Sequence, residues 1–238
     1  MEEVLHFDGA WPSPVTITRG WSRARARPWN ADSADAFLRL ERGGADFLRH
    51  ATHAVLDLGV GTVMSPPLYT SATRVWRRGG YDTAHRLQVM ERSLASPSLP
   101  PVHSLLPAPD PDWERIVEID DAAFHPFWRM GRLGLQEALK STRRSVLLIA
   151  RRDGEVAGYA IVGSQWGAAY LQRIAVDPIH AGTGVGSDLV RAALAWGRPS
   201  SPTMVLNVHA ENSAARRLYA REGFRDTGTT LHILRFER

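Results

Sequence analysis

The chain has no cysteine and a single lysine, Lys140, against 28 arginines. Without thiols there are no disulfides, no thiolate metal sites and no cysteine nucleophile. A Schiff-base enzyme would depend on Lys140 alone, because a guanidinium does not deprotonate in proteins, and that class is set aside. No apolar run approaches the roughly 18 residues that span a bilayer. The acidic start MEEVLHFDGA also lacks the basic-then-apolar layout of a signal peptide. These absences predict a cytoplasmic protein with no membrane partner and no metal.

What remains is globular material: 238 residues, 44% apolar and 23% charged, with 20 Gly and 15 Pro, enough for one large domain or two small ones. The net charge of +4 is spread evenly, residues 1–92 and 93–238 carrying +2 each. No segment reads as a polyanion-binding tail, so no nucleic-acid partner is expected.

The clearest boundary is SPSLPPVHSLLPAPDPD, residues 96–112, whose six prolines remove backbone donors and obstruct strand pairing. It reads as a linker between an upstream part, 1–95, and a downstream domain, 113–238. Downstream, 113–124 and 131–142 fit amphipathic helices, and SVLLIARR and EVAGYAIVG flank Asp153-Gly154, a pair suited to a tight hairpin. AYLQRIAV (strand), a glycine-rich loop, GSDLVRAALAWG (helix), TMVLNVH (strand), ENSAARRLYAREGF (helix) and TLHILRF (strand) follow. The order ααββ then βαβαβ is that of a mixed α/β (α+β) domain.

The upstream part echoes this ending. SATRVWRRGGYDTAHRLQVMER (71–92) runs parallel to SAARRLYAREGFRDTGTTLHILR (213–235), with Gly80-Tyr81 opposite Gly223-Phe224 and Trp76 opposite Tyr219. Residues 33–50 read as a helix broken near Gly43-Gly44 and 15–27 as one strand. On this reading Arg27-Pro28-Trp29-Asn30 stands where a glycine loop would follow the strand. The upstream part is thus expected to be a shortened copy that binds no ligand of its own and packs against the downstream domain to shape its pocket.

The most informative stretch is LQRIAVDPIHAGTGVGSDLV, residues 171–190. A strand stops at Asp-Pro, and Gly182, Gly184 and Gly186 lead into a helix. Main-chain N–H groups in such a turn converge with the positive end of the helix dipole, a setting that suits a diphosphate. A P-loop would need Gly-Lys-Ser/Thr, whereas Ser187 follows Gly186 directly. A dinucleotide fingerprint would need G-x-G-x-x-G and an acidic residue after the next strand. Here the spacing is G-x-G-x-G and that strand ends Asn207-Val208-His209.

With Asn212, Ala215, Tyr219, Gly223 and Phe224 matching N-x-x-A-x-x-x-Y-x-x-x-G-F, residues 113–235 resemble the GNAT superfamily of N-acetyltransferases. Within it they are distantly similar to ribosomal-protein N-terminal alanine acetyltransferases. The resemblance implies a GNAT fold with a splayed strand pair and acetyl-CoA as cofactor, and with it the upstream echo reads as a tandem arrangement with a truncated N-terminal GNAT-like lobe. It also implies pantetheine along Ile174, Ala175 and Val176, the diphosphate at Gly182, Thr183, Gly184, Val185, Gly186 and Ser187, Asn212 touching the cofactor, and Tyr219 as general acid. One departure is Ala181 where the family has Gln or Arg; Arg173, Arg191 or an upstream residue would compensate.

A second departure is Asn207 at the place of the glutamate that the ribosomal-protein enzymes carry. His209, on the same strand face, is then the candidate base, imidazole being a side chain suited to taking an amine proton near neutral pH. Glu211 and Glu155 are weaker choices. Phe124, Phe127 and Trp128 fall where the family's second helix borders the acceptor. His50 and His53 read as a solvated helix face, and Arg23, Arg25 and Arg27 as a charged strand edge. The expected reaction is direct transfer of acetyl to an amine, of a peptide N-terminus or a small molecule, by a monomer or homodimer. The alternative is a catalytically weak acetyl-CoA sensor or protein-interaction module.

Overall fold

A computed structural model describes residues 4–30, 33–102, 105–107 and 110–238. Upstream the elements are β1 (His6–Asp8), β2 (Val15–Arg19), β3 (Ser22–Pro28), β4 (Ala36–Arg42), α1 (Ala45–Leu56), β5 (Thr62–Met64), β6 (Leu68–Tyr69), α2 (Thr73–Arg78) and β7 (Asp82–Ser93). Downstream they are β8 (Leu105–Pro107), α3 (Trp113–Ala123), α4 (Gly131–Lys140), β9 (Arg144–Arg152), β10 (Glu155–Gln165), β11 (Ala168–Val176), α5 (Val185–Gly197), β12 (Thr203–His209), α6 (Ser213–Arg221) and β13 (Arg225–Glu237). Short 3-10 turns cover Pro126–Trp128 and Pro178–His180.

The chain forms two compact units, and neither boundary falls in the proline-rich segment. One unit comprises the residues up to Leu87 together with Thr229–Arg238; the other is Gln88–Gly228. Strand β7 therefore passes from the first unit into the second, and β13 passes back.

In the first unit the strand order is β1-β2-β3-β4-β5-β13, with β6 also on β13. Ile17, Leu38, Phe47, Leu48, Trp76, Tyr81 and Leu234 build its core. Two expectations are corrected here. Residues 15–27 are a hairpin rather than one strand, turning at Gly20 (φ +55°) and pairing Arg19 with Ser22. Residues 36–42 are a strand rather than part of a helix. Ala36 and Leu38 alternate into the core at period two, and only from Ala45 do Phe47, Leu48, Ala51 and Val55 take the helical spacing.

In the second unit the order is β7-β12-β11-β10-β9-β8. Alternation along β10 splits the core: Ala160 and Val162 face α5, whereas Tyr159 and Ile161 pack with Ile116, Ile119 and Leu135 of α3 and α4. Asp153 and Gly154, at φ +53° and +87°, make the tight turn between β9 and β10 as expected. The segment read as a linker contributes β8, antiparallel to β9, with Leu106 opposite Ile149. Met90, near the far end of β7, and Leu94, just beyond it, belong to the core beneath α5. Lys140 ends α4, exposed.

Candidate functional site

The site begins with a failure of two strands to stay together. β11 and β12 run parallel and pair from Ala168 with Thr203 to Leu171 with Leu206, and no further. β11 nevertheless continues to Val176 and β12 to His209. The other edge of β11 stays bonded to β10 as far as Val176 opposite Gly158. A bulge marks the parting: Ile161 and Val162 face Arg173 and Leu171, leaving Gln172 as the extra residue. From there the main-chain groups of β11 on the open side require a partner from outside the sheet.

The strand ends at Asp177. Its buried carboxylate accepts from the Ile179 N–H at 3.1 Å and from Arg115. Burial pushes this carboxyl up, but the Ile179 N–H and the Arg115 guanidinium outweigh it and hold the pKa below the ordinary value. The three glycines that follow serve different ends. Gly182 and Gly184 take φ of +77° and +93°, conformations that side chains disfavour. Gly186 is already helical, and a Cβ there would lie 3.2 Å from Leu218 of α6. The first helical bond of α5 runs from Asp188 N to Gly184 O at 3.1 Å. The N–H groups just before Asp188 are thus the unpaired donors of a helix start. Gly182, Thr183 and Gly184 are exposed, and Ser187 is partly so.

Tyr219 projects from α6 with only 6% exposure, its ring against Phe224 at 5.9 Å. The hydroxyl makes no hydrogen bond to the described residues. Burial pushes its pKa up to about 12, the Arg173 charge acting weakly the other way, so the phenol keeps its proton at any working pH. Asn212 caps α6, its Oδ1 accepting from Ala215 N at 3.0 Å, which leaves its amide NH₂ and one lone pair of Oδ1 for a ligand. His209 ends β12, sharing a face with Asn207, with its Nδ1 accepting from the Glu211 N–H at 3.4 Å. In the neutral ring this places the lone pair on Nδ1 and the proton on Nε2.

A family model for acetyltransferases of the GNAT family matches residues 113–224. These residues are a GNAT acetyltransferase domain. An uncharacterised N-acetyltransferase of Mycobacterium bovis is 34% identical over 98 residues, 39% of this chain and 60% of that protein. A mycothiol acetyltransferase of Nocardia farcinica is 38% identical over 79 residues, 33% of this chain and 25% of its own. The chain thus spans no more than 60% of either relative. Among solved structures, a tandem GNAT protein from the clavulanic acid biosynthesis pathway superposes with a TM-score of 0.66 at 15% identity, covering 94% of this chain and 82% of that one. A GCN5-related N-acetyltransferase from Sphaerobacter thermophilus gives 0.61 at 18%, covering 95% and 81%. The likeness shows the fold: a mixed α/β GNAT architecture in two lobes, as expected.

Within the GNAT domain, the arginines expected to compensate for Ala181 are committed elsewhere. Arg191 pairs with Glu222 at 3.0 Å and Asp188 at 3.6 Å, both buried. Arg173 pairs with Asp120 and stacks over Phe124 at 3.5 Å. Neither guanidinium is therefore left to stand in at the loop for the missing Gln or Arg. Asp120 itself escaped the sequence reading. It falls at the spacing of Ile116 and Ile119 on the buried face of α3, and a carboxylate at a core position is the signal that would have marked it.

Of the three aromatics, Phe124 lies beneath Arg173. Phe127 meets Trp128 edge-on at 4.8 Å, and Trp128 meets the His209 ring at 5.5 Å.

The upstream unit has the equivalent connection after all, at Gly43-Gly44 between β4 and α1 rather than at Arg27-Pro28-Trp29-Asn30. Its helix opens on Asp46, which hydrogen bonds from Arg19 and Arg49 keep ionised, its pKa lowered.

The remaining side chains have structural surroundings. His50 contacts Asp46 O at 2.8 Å, and His53 stands edge-on to Phe236 at 5.3 Å. No group of three or more metal-ligating His, Asp or Glu occurs among the described residues. β3 pairs with both β2 and β4, so its arginines are not on a sheet edge as expected: Arg23 and Arg25 bridge to Glu41 at 3.2 and 3.1 Å, and Arg27 covers Phe37 at 4.7 Å. No helix among the described residues is long and apolar enough to cross a membrane.

Proposed function

We propose that the protein is an acetyl-CoA-dependent N-acetyltransferase that passes the acetyl group directly to an amine. The observation that carries this reading is the parting of β11 from β12 after Leu171 and Leu206, which leads straight to the glycine turn at the start of α5. When bound, acetyl-CoA supplies a thioester whose carbonyl an amine attacks.

The chain's own residues divide the work. The open edge of β11 at Ile174, Ala175 and Val176 pairs with the amides of an extended ligand, and an N–H near Val176 receives negative charge developing on a carbonyl oxygen. Residues Gly182, Thr183, Gly184, Val185, Gly186 and Ser187 would hold the diphosphate through main-chain donors, and the Asn212 amide would contact the cofactor. Tyr219, kept protonated by burial, would be the proton donor to a thiolate leaving the bound thioester. His209 takes the amine proton at Nδ1, exchanging its long contact to Glu211 for the acceptor.

Ala181 and Asn207 favour a second reading, a sensor that binds acetyl-CoA without turning it over. The acceptor is an amine; the mycothiol acetyltransferase relatives support a small molecule over a peptide. Calorimetry with acetyl-CoA, followed by thiol release over a panel of amines, tests both readings. Binding with release supports the transferase, binding without release supports the sensor, and no binding overturns both.

A further inference from the structure

Asp120 has no solvent exposure, and its carboxylate accepts from three different residues. Arg173 Nε and Nη2 reach it at 2.8 Å each, the Met130 N–H at 3.0 Å, and the Tyr159 hydroxyl also donates to it. Arg173 Nη2 donates besides to the Trp128 carbonyl at 2.8 Å, and its planar head covers Phe124 at 3.5 Å. One ion pair therefore ties α3, β10 and β11 to both ends of the Phe124–Met130 segment.

A buried ion pair contributes little net stability, because desolvation offsets most of the attraction. What it gives is a fixed geometry. Here the fixed object is Trp128, whose indole reaches from a segment anchored on β11 to His209 at the end of β12. Trp128 thus spans the open end of the split.

We propose that Asp120 and Arg173 are a positioning pair: they hold residues 124–130 so that the Trp128 indole stands against His209, making the wall on which the acceptor amine is presented. The inference rests on the acetyltransferase reading and adds an acceptor class, an amine carried beside a flat apolar group that can lie on an indole.

The test compares wild type with Trp128→Ala, Trp128→Phe, Arg173→Lys and the double change Asp120→Leu with Arg173→Met, which removes the pair without stranding a charge. Three readouts are taken: acetyl-CoA affinity by calorimetry, the NMR shift of the His209 ring proton, and KM for 2-phenylethylamine.

The expected result is acetyl-CoA affinity within about 2-fold throughout. Trp128→Ala and the double change move the His209 signal alike and raise KM by about 10-fold or more. Trp128→Phe restores most of both. Arg173→Lys restores neither, because lysine keeps the charge and loses the fork.

If the double change or Arg173→Lys leaves the His209 signal and KM at wild-type values and only lowers the melting temperature, the pair is merely structural and the proposal fails. If wild type uses 2-phenylethylamine no better than n-butylamine, the acceptor class fails, and the NMR arm decides the positioning role. Failure of wild type to bind acetyl-CoA would instead overturn the functional reading.

Discussion

Arg92, near the end of β7, donates through Nη1 to the main-chain carbonyl of Glu222, the residue that caps the end of α6. The helix that carries Tyr219 is thus anchored by a residue from upstream of the proline-rich segment. Met90 and Leu94 lie buried in the same core. A chain beginning at Trp113 should consequently fail to fold, and Leu94→Ala in the full chain should lower the unfolding free energy by about 3 kcal/mol, as for other buried leucines. Denaturant titration checks the second, and near-ultraviolet circular dichroism of the truncated chain the first.

Tyr219→Phe should lower kcat by about 10 to 100-fold, the lower range for a lost general acid. Acetyl-CoA affinity and melting temperature should stay close to wild type, since the hydroxyl has no partner among the described residues. Steady-state kinetics with any accepted amine tests this; an unchanged kcat would hand the proton to water.

The same phenol predicts a pH dependence of stability. Its folded pKa, about 12, lies above the ordinary 10. Folding therefore gains from the retained proton below pH 10, and the gain fades as pH rises from about 10 through 12. Tyr81 and Tyr159, raised mainly by burial, act in the same direction. Urea unfolding at pH 8 and pH 11 should show a smaller loss of stability for Tyr219→Phe than for wild type.

The glycines of the turn should not be equivalent. Gly182→Ala and Gly184→Ala force a side chain to positive φ, at about 1 kcal/mol or more each, and should weaken acetyl-CoA binding by about 5-fold or more. Gly186→Ala meets only the movable ends of Leu218 and Val176 and should change affinity by less than about 2-fold. Calorimetry on the three variants ranks them.

Acetyl-CoA should bind once per chain. Asp46 occupies the first turn of α1, where the upstream unit would place a diphosphate. A fitted stoichiometry near two would refute this.

The downstream half was the more legible because its signals are local. Asp153-Gly154 needs only its own backbone to turn, and Asn212 to Tyr219 keeps the helical period on which the family motif depends. The upstream half misled where short runs are ambiguous. Ala36-Phe37-Leu38-Arg39-Leu40 satisfies both a strand and a helix, and only pairing with β3 decides it. Contacts between distant residues left no pattern to read: nothing between Asp120 and Arg173 announces that they meet, and nothing in the prolines of 96–112 reveals that Leu105–Pro107 joins β9.

The exposed end of α4 has a practical use. With Lys140 the chain's sole lysine, a succinimidyl dye has a single side-chain amine to label, and it lies on one of the helices flanking the Phe124–Met130 segment. A fluorophore there could report acceptor docking without any engineered attachment point, and acetylation of the protein's own side chains is confined to that one position.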